Sequence, residues 1–261
     1  LPNLPQTCFA GLMAETVTLF HVSDVHFGVE DHQAHHWFAD AVAQERPNAV
    51  VCTGDVTQRA TKRQFAAAAK WFGGLNVPLT IEPGNHDMPY YNLFERFRTP
   101  FRRFERLRDA VDAELEFADL AVVPLRTTVR AQRRFPWSDG VVKKKALAAT
   151  VAELERMADD GRYKIVACHH PLMAGPPGSP NPTIGGDQAF AALARAGADV
   201  VLSGHVHDAF DLTFDVEGRA LRMIGAGTLS TRLRSSRPSY NVLRYHPQKG
   251  LTVEHRTLAG A

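Results

Sequence analysis

The sequence predicts an α/β fold in one domain, an open sheet with helices on both faces. Three observations carry this. Apolar, β-branched runs recur along the chain, stripes of helical period lie between several of them, and polar clusters stand where the apolar runs stop. At 261 residues with 44% hydrophobic residues, the chain can fill a sizeable core.

The first run, TVTLFHV, is followed by an amphipathic face of Trp37, Phe38, Ala41 and Val42, and then by the run AVVC. Thr61 and Gln64 have capping-box spacing ahead of Phe65, Ala69 and Phe72, and VPLTI closes this part. From Met88 to about Gly140 the pattern is irregular. Phe94, Phe97, Phe101 and Phe104 form a helical stripe among six arginines, and Thr99-Pro100 reads as an N-cap and first-turn proline, so two short helices are expected in an Arg-rich insertion over about 88–112. LAVVPL is a strand. A stripe of Leu147, Val151, Leu154 and Ala158, stopped by Gly161, leads to KIVAC. The Pro/Gly loop LMAGPPGSPNPTIGG then precedes a stripe of Phe190, Leu193 and Ala194, stopped by Gly197, and the run ADVVL. LTFDV and LRMIGA belong to a meander of strands from about residue 208 onward.

With Lys+Arg 30 against Asp+Glu 28, the net charge of +2 supplies no global field, so a nucleic acid polymer is not favoured as a partner and any basic preference is local. Of the three cysteines, Cys52 and Cys168 sit inside apolar runs as small buried thiols, and Cys8 lies near the start. This argues against a disulfide framework and for a reducing, cytoplasmic setting. Residues 1–13 read as a loose leader without signal-peptide character, with Met13 a candidate start, and 14–261 as the domain. No apolar stretch approaches the ~20 residues of a membrane helix.

The polar clusters are Asp24-x-His26, Gly54-Asp55, Gly84-Asn85-His86-Asp87, His169-His170-Pro171 and Gly204-His205-x-His207. In an open α/β sheet the C-terminal strand ends share one edge, so five sets of metal-type side chains converge there. A period of two in extended chain puts both members of each D-x-H or H-x-H pair on one side. One such pair alone is more often solvated or satisfied in a core; five in order, each after an apolar run, are a different matter.

This order resembles the calcineurin-like metallophosphoesterase superfamily from Phe20 to about Arg244. HVSDVHFG, GNHDMPYYN, HHPL, GHVHDA and GTLSTRLR look like its bacterial members grouped with cyclic-nucleotide and glycerophosphodiester phosphodiesterases. The resemblance implies a four-layer αββα sandwich of two mixed sheets flanked by helices. It also implies two divalent metal ions, one on Asp24, His26, Asp55 and His207, the other on Asp55, Asn85, His169 and His205, with Asp55 bridging. His169 is preferred to His170 because in matching segments the ligand stands two before proline; the sequence leaves the reverse open. The activity implied is hydrolysis of a small anionic phosphate ester, a diester by preference, by a metal-bridging hydroxide, with His86 as the acid and Asp87 orienting its imidazole.

The donor chemistry agrees with that set. Nitrogen and oxygen ligands without thiolate suit Mn, Fe, Co, Ni or Zn. Two divalent ions against Asp24, Asp55 and a hydroxide leave a formal excess of about +1, which a phosphate ester can neutralise. Asn85 would add an amide oxygen without another negative charge.

Other features have plainer readings. His32, His35 and His36 have chelating spacing, but Trp37 and Phe38 already define the buried face, so a solvated helix face is expected. His21 reads as a core residue or a support behind the ligands, and His246 and His255 as parts of a C-terminal hairpin. The Arg-rich segment is a solvated face, a cap in which Arg102 and Arg103 grip substrate, or a basic surface for peripheral lipid contact; Arg232 and Arg234 are further substrate candidates, and a homodimer stays open. Rival activities on this fold are a pyrophosphate or lipid-precursor hydrolase resembling the UDP-diacylglucosamine enzymes, a phosphomonoesterase, and a non-catalytic scaffold like the retromer subunit. In the lipid enzymes arginine replaces the histidine held here by His86, and a scaffold would have lost ligands.

Overall fold

A computed structural model describes residues 15–133, 137–174 and 183–259. The strands form two five-stranded mixed sheets. In the first, β1 (Val17–Val22), β2 (Ala49–Cys52) and β3 (Leu79–Ile81) run parallel, and β9 (Ser239–His246) and β10 (Gly250–Thr257) add antiparallel on the far side of β1. In the second, β4 (Leu120–Pro124), β5 (Tyr163–Ala167), β6 (Val200–Ser203) and β8 (Arg219–Gly225) run parallel, and β7 (Phe210–Val216) closes the edge antiparallel to β8.

The alternation of side chains explains the layering. Leu19, Ala49 and Val51 point between the sheets and meet Ile165, Ala167, Val200 and Leu202. Their neighbours Phe20, Val50 and Cys52 point outward against α1 (His32–Glu45), α2 (Lys62–Gly74) and α4 (Arg102–Val111). On the other side Val166, Cys168 and Val201 meet α5 (Lys144–Arg156) and α6 (Gly186–Arg195). The central strands are buried on both faces and therefore read as unbroken apolar runs. The result is the four-layer αββα sandwich, not one sheet; the expected meander divides, β7–β8 going to the second sheet and β9–β10 to the first.

Several local expectations are corrected. The capping box of α2 forms, with Thr61 Oγ1 accepting from Gln64 N at 3.2 Å and Thr61 N donating to Gln64 Oε1 at 3.3 Å. Thr99, however, ends α3 (Leu93–Arg98) instead of capping α4; Asn92 caps α3 by accepting from Glu95 N, and α4 starts after Phe101 without a side-chain cap. Of the phenylalanine stripe only Phe104 is fully buried, while Phe94 is 73% exposed. In α5 the buried positions are Thr150 and Leu154, and Ala158 lies beyond the helix. His35 is not on a solvated face: it is buried, donates Nε2–H to Val25 O at 3.1 Å, and packs against Phe27 and Trp71, whereas His32 and His36 are exposed. Cys52 and Cys168 are free and buried. The leader expected over 1–13, Cys8 and most of the Pro/Gly loop lie outside the described residues. Among the described residues no helix is long and apolar enough to cross a membrane.

Candidate metal centre

The polar clusters occupy the loops that follow β1, β2, β3, β5 and β6, the C-terminal ends of parallel strands in both sheets. Backbone bonds lace these loops together: Asp24 N donates to Gly54 O and His26 N to Asp55 O, each at 3.0 Å, and Gly204 N donates to His169 O at 2.9 Å. Carboxylates complete the lacing, with His205 N donating to Asp24 Oδ2 and His86 N to Asp55 Oδ1, both at 2.8 Å.

The D-x-H and H-x-H pairs do not converge through extended chain. Asp24, His26, Asp55, His205 and His207 all have positive φ, between 45° and 67°. A left-handed residue other than glycine costs about 1–2 kcal/mol, so five of them in one cluster mark a backbone bent by its surroundings to aim side chains inward. Two glycines make room. A Cβ on Gly84 would lie 2.0 Å from Asp55 Oδ1, and one on Gly204 would lie 1.7 Å from Ser23 Oγ.

Two adjoining ligand groups result, Asp24 with His26 and His207, and Asp24 with Asp55 and His169. His207 Nε2 stands 3.0 Å from Asp24 Oδ1 and 3.2 Å from His26 Nε2. His169 Nε2 stands 3.2 Å from Asn85 Oδ1 and 3.5 Å from Asp55 Oδ2. Asp55 Oδ2 is also 3.8 Å from His26 Nε2, which places that carboxylate between the groups. The ring of His205 lies 5.2 Å from that of His169, so the members of the H-x-H pair serve opposite halves of the site.

Tautomers are set by the backbone. His169 donates Nδ1–H to Thr53 O at 2.7 Å and His207 donates Nδ1–H to Arg232 O at 2.5 Å, which leaves both Nε2 lone pairs facing inward. His170 also lies within ligand reach of His169 and His205. Its two nitrogens are taken, by Thr127 Oγ1 at 2.9 Å and Ser138 O at 2.8 Å, so the geometry favours His169 as the ligand.

This donor set fits divalent cations. Asp24 Oδ1 is buried without a hydrogen-bond partner, as is His26 Nδ1, and two imidazole Nε2 atoms at 3.2 Å face each other beside it. Burial alone would raise both aspartates, yet the surrounding histidines hold Asp24 and Asp55 well below the usual carboxylate range. Burial likewise pulls His169 down, but Asp55 outweighs it and pushes His169 up to about 9, so without a cation the inward Nε2 carries a proton that a bound cation would displace. The field of the site thus demands positive charge. His205, brought down to about 3 by burial and by His169, stays neutral as a ligand must.

Residues 17–209 match the profile of the calcineurin-like phosphoesterase family. The chain belongs to that family. A curated relative, the glycerophosphodiester phosphodiesterase GpdQ of Enterobacter lignolyticus, is 36% identical over 80 residues, a match spanning 26% of this chain and 29% of that relative's length. Among solved structures, a dimetal phosphatase from Danio rerio aligns with a TM-score of 0.58 and 13% identity over 94% of this chain and 100% of that one. A purple acid phosphatase from yellow lupin seeds (Lupinus luteus) aligns with a TM-score of 0.63 and 11% identity over 94% of this chain and 52% of that one. These likenesses support the fold.

In this member of the family the residues around the candidate ligands have distinct placements. His86 sits in the short turn Asn85–Asp87, donates Nδ1–H to Gln58 O at 2.8 Å and presents Nε2 to Arg232 Nη1 at 2.9 Å; its ring is 5.0 Å from that of His26. Burial lowers its pKa, and the nearby Arg232 cation adds to that against the pull of Asp55. Asp87 was expected to orient His86. Instead its carboxylate accepts from Gly84 N at 2.9 Å, Val56 N at 3.1 Å, Thr57 N at 2.8 Å and Thr57 Oγ1 at 3.0 Å, a clasp between the β2 and β3 loops, and the Gln58 carbonyl holds the imidazole. Arg232 reaches the centre, its Nη1 also 3.4 Å from both His26 Nε2 and Gln58 Oε1, while Arg234 is exposed two residues further on. Arg102 and Arg103 both bind Glu95, and Arg103 donates to Ala60 O at 2.7 Å, so these donors brace α3 and α4. Gln58 carried no signal in the sequence, because it acts through its backbone oxygen. Ser23, which donates to Asp24 Oδ2 at 2.6 Å, stands beside a motif residue and could have been noticed.

Proposed function

We propose that this protein is a dinuclear metal-dependent phosphodiesterase in which His86 delivers the proton to the leaving oxygen and Arg232 grips the phosphoryl group. Asp24, His26, Asp55 and His207 would hold one ion, and Asp55, Asn85, His169 and His205 the other. When bound, two such ions supply Lewis-acid stabilisation of phosphoryl charge and a more acidic water. The observation that carries the reading is the fixed imidazole of His86: with Nδ1–H committed to Gln58 O, the proton it can transfer resides on Nε2, the atom facing the ligand cluster.

Arg232 now covers that atom. An arriving ester anion offers its guanidinium a charge-assisted partner, so the guanidinium turns from Nε2 to a phosphoryl oxygen and Nε2 becomes free to carry a proton. Support for a diester comes from the partial match to a glycerophosphodiester phosphodiesterase. An alkyl diester, like an alkyl monoester, expels an alkoxide, the kind of leaving group that a positioned acid helps most.

The test is a leaving-group comparison in the metal-loaded enzyme. His86→Ala should lose ~10² to 10⁴ in kcat/KM on an alkyl diester and much less on a nitrophenyl diester, whose phenolate leaves almost unaided. Asn85→Ala should lose metal and slow both. Equal losses on both esters in His86→Ala would mean His86 stabilises phosphoryl charge instead of giving a proton, and faster turnover of monoesters than of matched diesters would overturn the diester assignment.

A further inference from the structure

Of the eight large apolar side chains exposed among the described residues, six gather in one place: Tyr90, Tyr91, Leu93, Phe94, Phe97 and Trp137, from 39% to 73% exposed. Isolated exposed apolar residues need no explanation, but a contiguous set does. Phe97 packs edge-on to Trp137 at 6.1 Å and Tyr90 to Tyr91 at 5.1 Å, so the set forms a surface on and around α3. Three exposed arginines lie over these rings: Arg59 over Tyr90 and Tyr91 at 5.4 and 5.2 Å, Arg98 over Phe94 at 5.7 Å and Arg130 over Phe97 at 6.0 Å. The only acid between residues 88 and 98 is Glu95, which is buried and paired with Arg102 and Arg103. The face therefore shows aromatic, aliphatic and cationic groups.

We infer that this α3 face docks on an anionic lipid surface. Aromatic rings with basic heads beside them match the boundary between acyl chains and charged headgroups, where rings insert and arginines stay with phosphates. Charge decides against a symmetric second copy, because a twofold interface here would set Arg59, Arg98 and Arg130 against like charges. Arginines already cover a face of the Tyr90, Tyr91, Phe94 and Phe97 rings, which leaves less platform for stacked bases and counts against single-stranded nucleic acid. The inference does not depend on the substrate. It places the metal centre close to the lipid surface, since the face begins three residues after Asp87 and includes Arg59, the neighbour of Gln58.

Vesicle flotation of the full-length, metal-loaded protein tests it. Binding to mixed phosphatidylcholine and phosphatidylglycerol vesicles should exceed binding to phosphatidylcholine alone and should fall as salt is raised. Leu93→Ser with Phe94→Ser should weaken partitioning roughly tenfold or more. Arg98→Ser with Arg130→Ser should remove the preference for anionic vesicles. Both pairs should keep the unfolding midpoint of the parent and its turnover of a small soluble ester. Failure to float with anionic vesicles would overturn the inference. So would a concentration-dependent dimer abolished by Leu93→Ser with Phe94→Ser, or a single-stranded oligonucleotide displacing the vesicles at lower concentration than a phosphatidylglycerol competitor.

Discussion

Removing the carboxylate of Asp87 should cost fold stability before it costs chemistry. Asp87 is fully buried and accepts from three backbone amides, of Gly84, Val56 and Thr57, and from the Thr57 hydroxyl. Asp87→Ala leaves those amides facing a small cavity. At about 1–3 kcal/mol for each unmet buried donor, and with water able to rescue part, the loss should be roughly 3–6 kcal/mol. A typical domain has about 5–15 kcal/mol in all, so the change is large. Asp87→Asn keeps one acceptor oxygen and should lose about half as much. Urea unfolding of the metal-free proteins, followed by far-UV circular dichroism, measures it. Because Gly84 approaches Asp55 and the clasp fixes that approach, metal affinity should fall along with stability. An Asp87→Ala protein within about 1 kcal/mol of the parent, with full metal content and a loss confined to kcat, would refute this reasoning and return Asp87 to the role of orienting His86.

Arg232→Ala should raise KM for an anionic ester by roughly 10- to 100-fold, consistent with about 1.5–3 kcal/mol for a charged hydrogen bond, while metal content stays at two; an unchanged KM would remove Arg232 from the substrate site. Stability should also fall with acid through His35. Burial brings its pKa from 6.5 down to about 4, so the neutral ring stabilises the fold above the unfolded value, and that contribution is lost as pH falls from 6.5 toward 4. Between pH 7 and pH 5 this amounts to about 2 kcal/mol, and His35→Leu, weaker at neutral pH, should show a flatter profile over that interval in urea titrations; parallel profiles would contradict it.

The convergence of these side chains was legible in the sequence because each follows an apolar run, and the C-terminal ends of parallel strands lie together whichever sheet they belong to. How the pairs converge was not legible. The left-handed φ values of Asp24, His26, Asp55, His205 and His207 come from loops bonded across the two sheets, and local sequence does not encode those contacts. The two-sheet division was hidden from periodicity as well: β1, β2 and β5 are apolar on both faces, so Leu19 and Phe20 look alike although one faces the other sheet and the other faces α1 and α2. His35 was misplaced because Trp37 and Phe38 drew the predicted helix face toward themselves; the contact with Trp71 of α2 is tertiary. The phenylalanines of α3 followed helical spacing, yet the face they define lies open, since spacing reports a stripe and not what covers it.

Metal stoichiometry in the parent and in Asp55→Asn tests the central claim most directly. Asp55 lies between the two groups of ligands, with one oxygen 3.8 Å from His26 Nε2 and 3.5 Å from His169 Nε2. Elemental analysis of protein reconstituted with manganese or zinc and freed of excess should give two ions per chain for the parent. Asp55→Asn, which removes negative charge shared by both positions, should lose metal and phosphoesterase activity together. One ion or none in an active parent, or two ions and near-normal turnover in Asp55→Asn, would contradict a dinuclear centre built on Asp55.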